Sequence, residues 1–124
     1  MIAKVFLLFA CFSGACAVSF GAFGAHALKG RLSESALQTW STAVEYQFYH
    51  LLALIFVAVL LFQGLGSRFL TASGVLFILG SFLFCGSLYG LALGGPRWLG
   101  PITPLGGLCF IVAWLSLAAA AYRL

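Results

Sequence analysis

The chain has 124 residues, of which 64% are hydrophobic and only 6% are charged, and its formal net charge is +4. Soluble domains carry about 25% charged residues and about half apolar ones, so this composition, with a mean hydropathy of +1.17, excludes a soluble domain. The basic residues lie singly along the chain, which excludes a clustered nucleic-acid surface. The composition predicts a small integral membrane protein.

Four apolar stretches follow one another along the chain, and charged residues bound each of them. A helix rises about 1.5 Å per residue, so about 20 residues cross a hydrocarbon core of about 30 Å. We therefore predict an all-α fold: one domain, residues 1–124, that forms a four-helix transmembrane bundle with both termini on the same side. The predicted spans are residues 5–27, 46–63, 69–93 and 104–122.

The first predicted helix carries small residues at every fourth position, a spacing that lets two membrane helices approach closely. This series consists of Ser13, Ala17, Gly21 and Ala25. Gly24 lies in the same small-residue region, which has no preceding strand and no Lys-Ser/Thr step, so it does not predict a phosphate-binding loop. A cleaved signal peptide is not expected, because the apolar run continues through Phe23.

The start of the second helix is predicted to be amphipathic and interfacial. Ser35 followed by Gln38 fits a capping box, and apolar positions then recur at helical spacing opposite a polar stripe. Trp40 is expected to anchor this segment in the headgroup layer. The segment then either turns down into the membrane or runs on as the span.

The second half of the chain contains another small-residue series and a proline-rich boundary. Gly86, Gly90 and Gly94 are spaced by four on the third helix, where they favour packing inside the bundle or, alternatively, a seam between copies. Thr103 followed by Pro104 predicts an N-cap at Thr103 and the first helical residue of the fourth helix at Pro104.

Four cysteines fall inside the predicted spans, without a CxxC pair or a second cluster of metal-binding residues. They are Cys11, Cys16, Cys85 and Cys109. In hydrocarbon a thiol behaves as a small apolar group. We expect no metal, no cofactor and no disulfide.

Polar side chains at membrane depth are the best indication of a functional site, because an isolated charge is costly there. The candidates belong to the leaflet that contains the first loop: His26, Glu45, Tyr46, His50 and Tyr89. They could line a pocket for a small ligand, a proton or a lipid headgroup. Alternatively, the histidines donate to backbone carbonyls and link helices one and two, with Glu45 solvated at the interface. A haem ligated by the histidines is a third, weakly supported alternative.

Four segments carry a family resemblance: GAFGAHALK at 21–29, TAVEYQFYH at 42–50, LFCGSLYGLAL at 83–93 and GPITPLGG at 100–107, followed by Trp114. The chain resembles the domain of unknown function 423 family, also called transmembrane protein 256-like. The resemblance implies a four-helix inner-membrane protein in bacteria without an established activity. Glu45 lies outside the family pattern. Positions that fit the pattern include Gly21, Gly24, Ala25, His26, Ala43, His50, Cys85, Ser87, Tyr89, Pro104, Gly106, Gly107 and Trp114.

The sequence favours a non-enzymatic accessory, scaffold or assembly protein of the bacterial inner membrane. A transporter or channel component, or a bundle that binds a lipid or small ligand in a His-lined pocket, is the alternative. A membrane enzyme would need a convergent acid-base set. The expected partners are the lipid bilayer and either a second copy or another membrane protein, without nucleic acid. Lys and Arg are divided three against three between the two sides, so their count does not decide the orientation. The positive charge of a free N-terminal amine favours termini in the cytoplasm, which is the orientation we predict.

Overall fold

The computed structural model describes residues 1–124 as four long helices joined by short loops. Each helix is long and apolar enough to cross a membrane, which confirms the predicted all-α, four-helix membrane fold. The helices are α1 (Ile2–Leu28), α2 (Glu34–Phe62), α3 (Arg68–Ala92) and α4 (Leu99–Tyr122).

Serine side chains begin α2 and α3. The hydroxyl oxygen of Ser33 accepts a hydrogen bond from the backbone N–H of Ala36 at 3.1 Å, and that of Ser67 accepts from Leu70 at 3.2 Å. Each oxygen satisfies one of the backbone donors that a helix start leaves unpaired. The predicted capping box at Ser35 is therefore displaced, because α2 begins at Glu34 and runs without a break to Phe62.

The start of α4 differs from the prediction. The helix begins at Leu99, five residues before Pro104. Pro101 is tolerated in the first turn, where backbone N–H groups have no partner within the helix, whereas Pro104 lies inside the helix and removes one backbone hydrogen bond. Thr103 does not cap the helix, because its hydroxyl instead contacts the hydroxyl of Ser87 on α3.

Glycines with positive φ end α2 and α3. Gly64 has a φ of 79° and Gly94 a φ of 85°. After α3, the backbone N–H of Gly95 donates to the carbonyl of Gly90 at 2.8 Å, and that of Gly94 donates to Leu91 at 3.1 Å. This is the Schellman arrangement, which satisfies the last carbonyls of a helix. Gly94 is therefore a helix terminator and not a member of a packing series.

Two of the helices contain a π-helical turn, in which the backbone is locally widened. One turn ends α1 at Gly24–Leu28, and the other lies within α3 at Ser81–Gly86. Such turns are uncommon and often occur at functional sites. Each of the two clefts described below is lined in part by one of them.

The bundle is built from two antiparallel pairs of helices. α1 packs along α2, α3 packs along α4, and α2 also contacts α3. α1 and α3 contact each other mainly at the end of the bundle that carries both chain termini, where Gly74 leaves room for the ring of Phe6. Further along, α1 and α3 diverge. The largest fully buried side chains are Phe6, Leu54, Val57, Leu70, Ser73 and Phe77.

Many large apolar side chains face outward. Only 27 of the 124 residues are buried, and large aromatic side chains such as Phe12 and Phe82 are well exposed, at 71% and 64%. An outer surface of this kind would drive aggregation in water. It is suited to lipid hydrocarbon as its solvent.

Candidate functional site

The five polar residues predicted to share a pocket lie in separate places. His26 is exposed at the end of α1, and Glu45 is exposed on α2 beside α1. Tyr46 and His50 pack against rings of α3 and α4, whereas Tyr89 reaches α2 in the gap beside α1. Successive helical residues point about 100° apart, so neighbouring positions on α2 face different helices and these residues line no common cavity.

His50 is held within an aromatic cluster. Its Nδ1 donates to the backbone carbonyl of Tyr46 at 2.7 Å, within α2. Its imidazole ring lies parallel to the ring of Phe110 on α4, with centroids 3.6 Å apart and an interplanar angle of 4°. Trp114 meets the same imidazole edge-on at 5.9 Å. The expected link from the histidines to α1 is absent, because His50 faces α4 and His26 is exposed.

The link between helices is made by Gln47 and not by a histidine. The Nε2 of Gln47 on α2 donates to the backbone carbonyl of Ser13 on α1 at 2.9 Å and contacts the Ser13 hydroxyl at 3.0 Å. Its Oε1 accepts from the hydroxyl of Tyr89 on α3 at 2.6 Å. The amide uses both its donor and its acceptor, so Gln47 forms a hydrogen-bonded junction of α1, α2 and α3.

Trp40 supplies a second link between α1 and α2. It is buried, and its indole N–H donates to the backbone carbonyl of Phe20 at 2.8 Å. Its ring also packs edge-on against Tyr89, with centroids 4.7 Å apart. Trp40 is therefore part of the contact between α1 and α2. The prediction that it anchors the segment in the headgroup layer is wrong, because its indole is buried between helices.

Gln47 is not among the site residues predicted from the sequence, because that prediction rests on ionisable groups. A glutamine within a predicted span was a usable signal, since an amide in hydrocarbon also needs hydrogen-bond partners. Its position one residue after Tyr46 and three before His50 hid it among residues with more familiar chemistry. Ser13 and Tyr89 were singled out, but for helix packing and for a pocket respectively.

A cleft of about 320 Å³ lies between α1 and α3, where these helices diverge. The ring pair of Phe9 and Phe82, 5.5 Å apart, bridges the two helices at one end, and the pair of Phe20 and Tyr89, 5.0 Å apart, bridges them at the other. The lining is mostly apolar, and the hydrogen-bonded Gln47 lies in it. The lining residues are Phe9, Phe12, Ser13, Cys16, Phe20, Gln47, Ser81, Phe82, Cys85, Gly86 and Tyr89.

Two of the four cysteines border this cleft. Cys85 is buried and Cys16 is exposed, and both are free thiols, as are Cys11 and Cys109. No group of three or more His, Cys, Asp or Glu side chains is placed to hold a metal ion. The amide of Gln47 in this cleft is already hydrogen-bonded on both sides, so the cleft presents mainly apolar surface.

The small residues of α1 take different roles. Ala17 is fully buried, and a Cβ on Gly21 would make an ordinary contact of 3.6 Å with Val44. Gly24 has no room, since a Cβ there would lie 2.6 Å from the indole of Trp40. Ala25 is exposed. The α1–α2 contact therefore depends most on Gly24, the position where the indole crosses the helix.

The glycine series of α3 does not form a helix seam inside the bundle. Nothing lies within 4 Å of a Cβ built on Gly86, and a Cβ on Gly90 would meet only the end of the Leu99 side chain at 2.7 Å. The close contact of α3 with α4 is made by Gly106, whose Cβ would lie 2.7 Å from the Cα of Phe84. A Cβ on Gly107 would have an ordinary contact of 3.7 Å.

A second cleft, also of about 320 Å³, lies between α1 and α2 on the side of the first loop; we call it the α1–α2 groove. It contains two opposite charges, Lys29 and Glu45, together with the hydroxyl-bearing Ser41. The carboxylate of Glu45 accepts a long hydrogen bond of 3.4 Å from Tyr49. The other lining residues are Gly21, Gly24, Ala25, Leu37, Trp40 and Val44.

The environment of His50 leads to a prediction about its substitution. We expect His50→Gln and His50→Leu to lower the free energy of unfolding by similar amounts, about 1 kcal/mol, because both lose the ring stacking on Phe110. Retaining an amide donor should bring little benefit, since the hydrogen bond of His50 lies within its own helix. Unfolding in mixed detergent micelles measures both values. A Gln variant as stable as the wild type would show that the hydrogen bond matters more than the stacking.

Comparisons with known proteins agree with this architecture. A family model described as "Protein of unknown function (DUF423)" matches residues 20–107. The chain is similar to the UPF0382 membrane protein YwdK of Bacillus subtilis, with 43% identity over 97% of this chain and 98% of the relative. It is also 43% identical to the UPF0382 membrane protein SH2409 of Staphylococcus haemolyticus, with 97% of each chain covered. No solved structure matches the chain.

Proposed function

The chain belongs to the DUF423 family of bacterial integral membrane proteins, and on that premise we propose that it is a non-enzymatic accessory protein of the cytoplasmic membrane. Its proposed role is to hold a helix of another membrane protein against the α1–α3 cleft. One observation carries the proposal: every buried side-chain nitrogen and oxygen has a hydrogen-bond partner inside the bundle. The α1–α3 cleft beside the Gln47 junction is lined mostly by apolar side chains, which suit contact with a membrane helix.

The distribution of polar groups also argues against transport through a single copy. A transport path requires polar side chains through both leaflets. The half of the core nearer the two chain termini is instead filled by apolar side chains, with Phe6, Leu54 and Leu70 almost fully buried. The buried Ser73 in this core donates to the backbone carbonyl of Ala113 at 2.9 Å. A densely packed apolar core is expected of a bundle that does not open for transport.

The α1–α3 cleft has features that suit a transmembrane helix. Gly86 lies at its edge with open space beside it, so a neighbouring backbone can approach closely. Phe12 and Phe82 flank the cleft and would cover the sides of such a helix. The π-helical turn at Ser81–Gly86 shapes this edge. A second copy of the chain is the alternative occupant.

Site-specific photo-crosslinking in cells tests this proposal. A photoreactive residue replaces Phe12 or Phe82 in the cleft, and matched controls carry it at the lipid-exposed Ile111 or Leu115 on α4. We expect discrete protein adducts from the cleft positions and none from the controls. An adduct of twice the mass of the chain would identify a second copy as the occupant. Adducts with lipid alone from all four positions would contradict the proposed docking role.

A flux measurement tests the non-transport part of the proposal separately. Proteoliposomes that contain the purified chain should show the same proton and ion leakage as protein-free vesicles. A flux that depends on the protein would contradict it, whatever the crosslinking result.

A further inference from the structure

The α1–α2 groove lies at the depth where a phospholipid changes from headgroup to acyl chain. α2 has 29 residues, so at about 1.5 Å per residue it is about 43 Å long, longer than a hydrocarbon core of about 30 Å. Its first turns carry Glu34, Gln38 and Ser41, whereas its last turns are apolar. The excess length therefore belongs to the first-loop side, and Glu45 lies near the edge of the hydrocarbon core.

Lys29 and Glu45 occupy different depths in this groove. α1 and α2 are antiparallel, with Gly24 beside Trp40 and Gly21 beside Val44. Lys29 follows the end of α1 and is thus nearer the water, and Glu45 is nearer the membrane interior. The deepest lining residues are Gly21, Val44 and Glu45, and the hydrocarbon core lies beyond them. From outside to inside, the groove presents a cation, the small residues of α1 and a carboxylate, with hydrocarbon beyond.

Each of these groups selects a part of a ligand. The ammonium of Lys29 suits a phosphate at headgroup depth. The carboxylate of Glu45 needs a hydrogen-bond donor, because its bond from Tyr49 is long and an unsatisfied carboxylate is costly at the edge of hydrocarbon. A diacyl phospholipid offers only ester oxygens at this depth, which are acceptors. A lysophospholipid has a free glycerol hydroxyl, which is a donor and lies deeper in the membrane than the phosphate.

We infer that the α1–α2 groove binds a lysophospholipid, with its phosphate at Lys29, its glycerol beside Ala25 and the free glycerol hydroxyl donating to Glu45. Its single acyl chain then runs past Gly21 into the hydrocarbon. Gly24 packs against Trp40, so the two helices are held together along the floor of the groove. The small side chains of α1 leave space for the glycerol between the two charges. This site is separate from the α1–α3 cleft and does not depend on the proposed docking of a partner helix.

Native mass spectrometry of the purified chain in detergent micelles tests the inference with a matched pair of ligands. The probes are 1-palmitoyl lysophosphatidylcholine and its 2-O-methyl ether, in which the hydroxyl donor is blocked and the headgroup and chain are the same. We expect the lysophospholipid to bind about tenfold more tightly, the effect of one hydrogen bond to a charged group. Equal binding of the two probes, or equal binding of diacyl phosphatidylcholine, would overturn the inference.

Variants locate the effect in the groove. Glu45→Leu should abolish the preference for the free hydroxyl, and the matched control Glu34→Leu should keep it. Lys29→Gln should weaken both probes equally, because both carry the phosphate, whereas Arg31→Gln in the first loop should not. All four positions are exposed, so the variants are expected to fold, and the ligand pair tests the wild type in any case. A Glu45→Leu variant that retains the tenfold preference would also overturn the inference.

Discussion

Gly106→Ala is expected to destabilise the bundle by about 2 kcal/mol or more, although alanine is the better helix former. A Cβ at this position would lie 2.7 Å from the Cα of Phe84, and backbone atoms cannot turn aside as the end of a side chain can. α3 and α4 would have to separate, and overpacking of this kind costs about 1 to 3 kcal/mol. The separation would also disturb the ring of Phe110 beneath His50.

The adjacent glycine is the matched control for this prediction. A Cβ on Gly107 would lie 3.7 Å from the Phe84 ring, an ordinary contact. Gly107→Ala should therefore be neutral or stabilise the helix by about 0.5 kcal/mol, the gain in helix propensity. Both variants are compared by unfolding in mixed detergent micelles, followed by tryptophan fluorescence. Equal stability of the two variants would contradict the close backbone contact at Gly106.

The sequence was sufficient to predict the number of helices because that signal is thermodynamic. Uninterrupted apolar runs between charged residues can only be accommodated across a bilayer. Helix boundaries were less accurate, since a proline in the first turn costs nothing. Pro101 therefore did not delay the start of α4, and the helix also continues through Pro104 with the loss of one backbone hydrogen bond. The cap of α2 was displaced by two residues, because Ser33 and Ser35 are equally good capping residues.

The ionisable groups could be selected from the sequence, but their neighbours could not. Residues Glu45 to Gln47 are consecutive, and the helix turns each towards a different partner: the α1–α2 groove, the ring of Phe84 and the three-helix junction. The direction of each depends on how α2 is rotated in the bundle. That rotation is set by contacts between distant residues, such as Trp40 with Phe20. The glycine spacing on α3 likewise did not reveal which of its glycines meets another helix.

Gln47→Leu tests the three-helix junction and is the second large effect that we expect. The substitution removes two hydrogen bonds to Ser13 and leaves the hydroxyl of Tyr89 without its acceptor. Hydrogen bonds between membrane helices average about 0.6 kcal/mol and reach about 1.7 kcal/mol. Loss of the three contacts should therefore lower the free energy of unfolding by about 2 kcal/mol. Gln38→Leu, an exposed glutamine on the same helix, is the control and should be nearly neutral.

A double-mutant cycle with Tyr89→Phe separates the hydrogen bond from the packing of the two side chains. Phe keeps the ring that packs against Phe20 and Trp40 and removes only the hydroxyl. Tyr89→Phe should therefore cost about 0.6 to 1.7 kcal/mol in the wild type and much less in the Gln47→Leu background, because the acceptor is already absent. Additive effects would show that the 2.6 Å contact between the Tyr89 hydroxyl and Gln47 does not stabilise the fold. A strong coupling would establish that α3 is held to α2 beside the α1–α3 cleft, so that the cleft keeps its shape without an occupant.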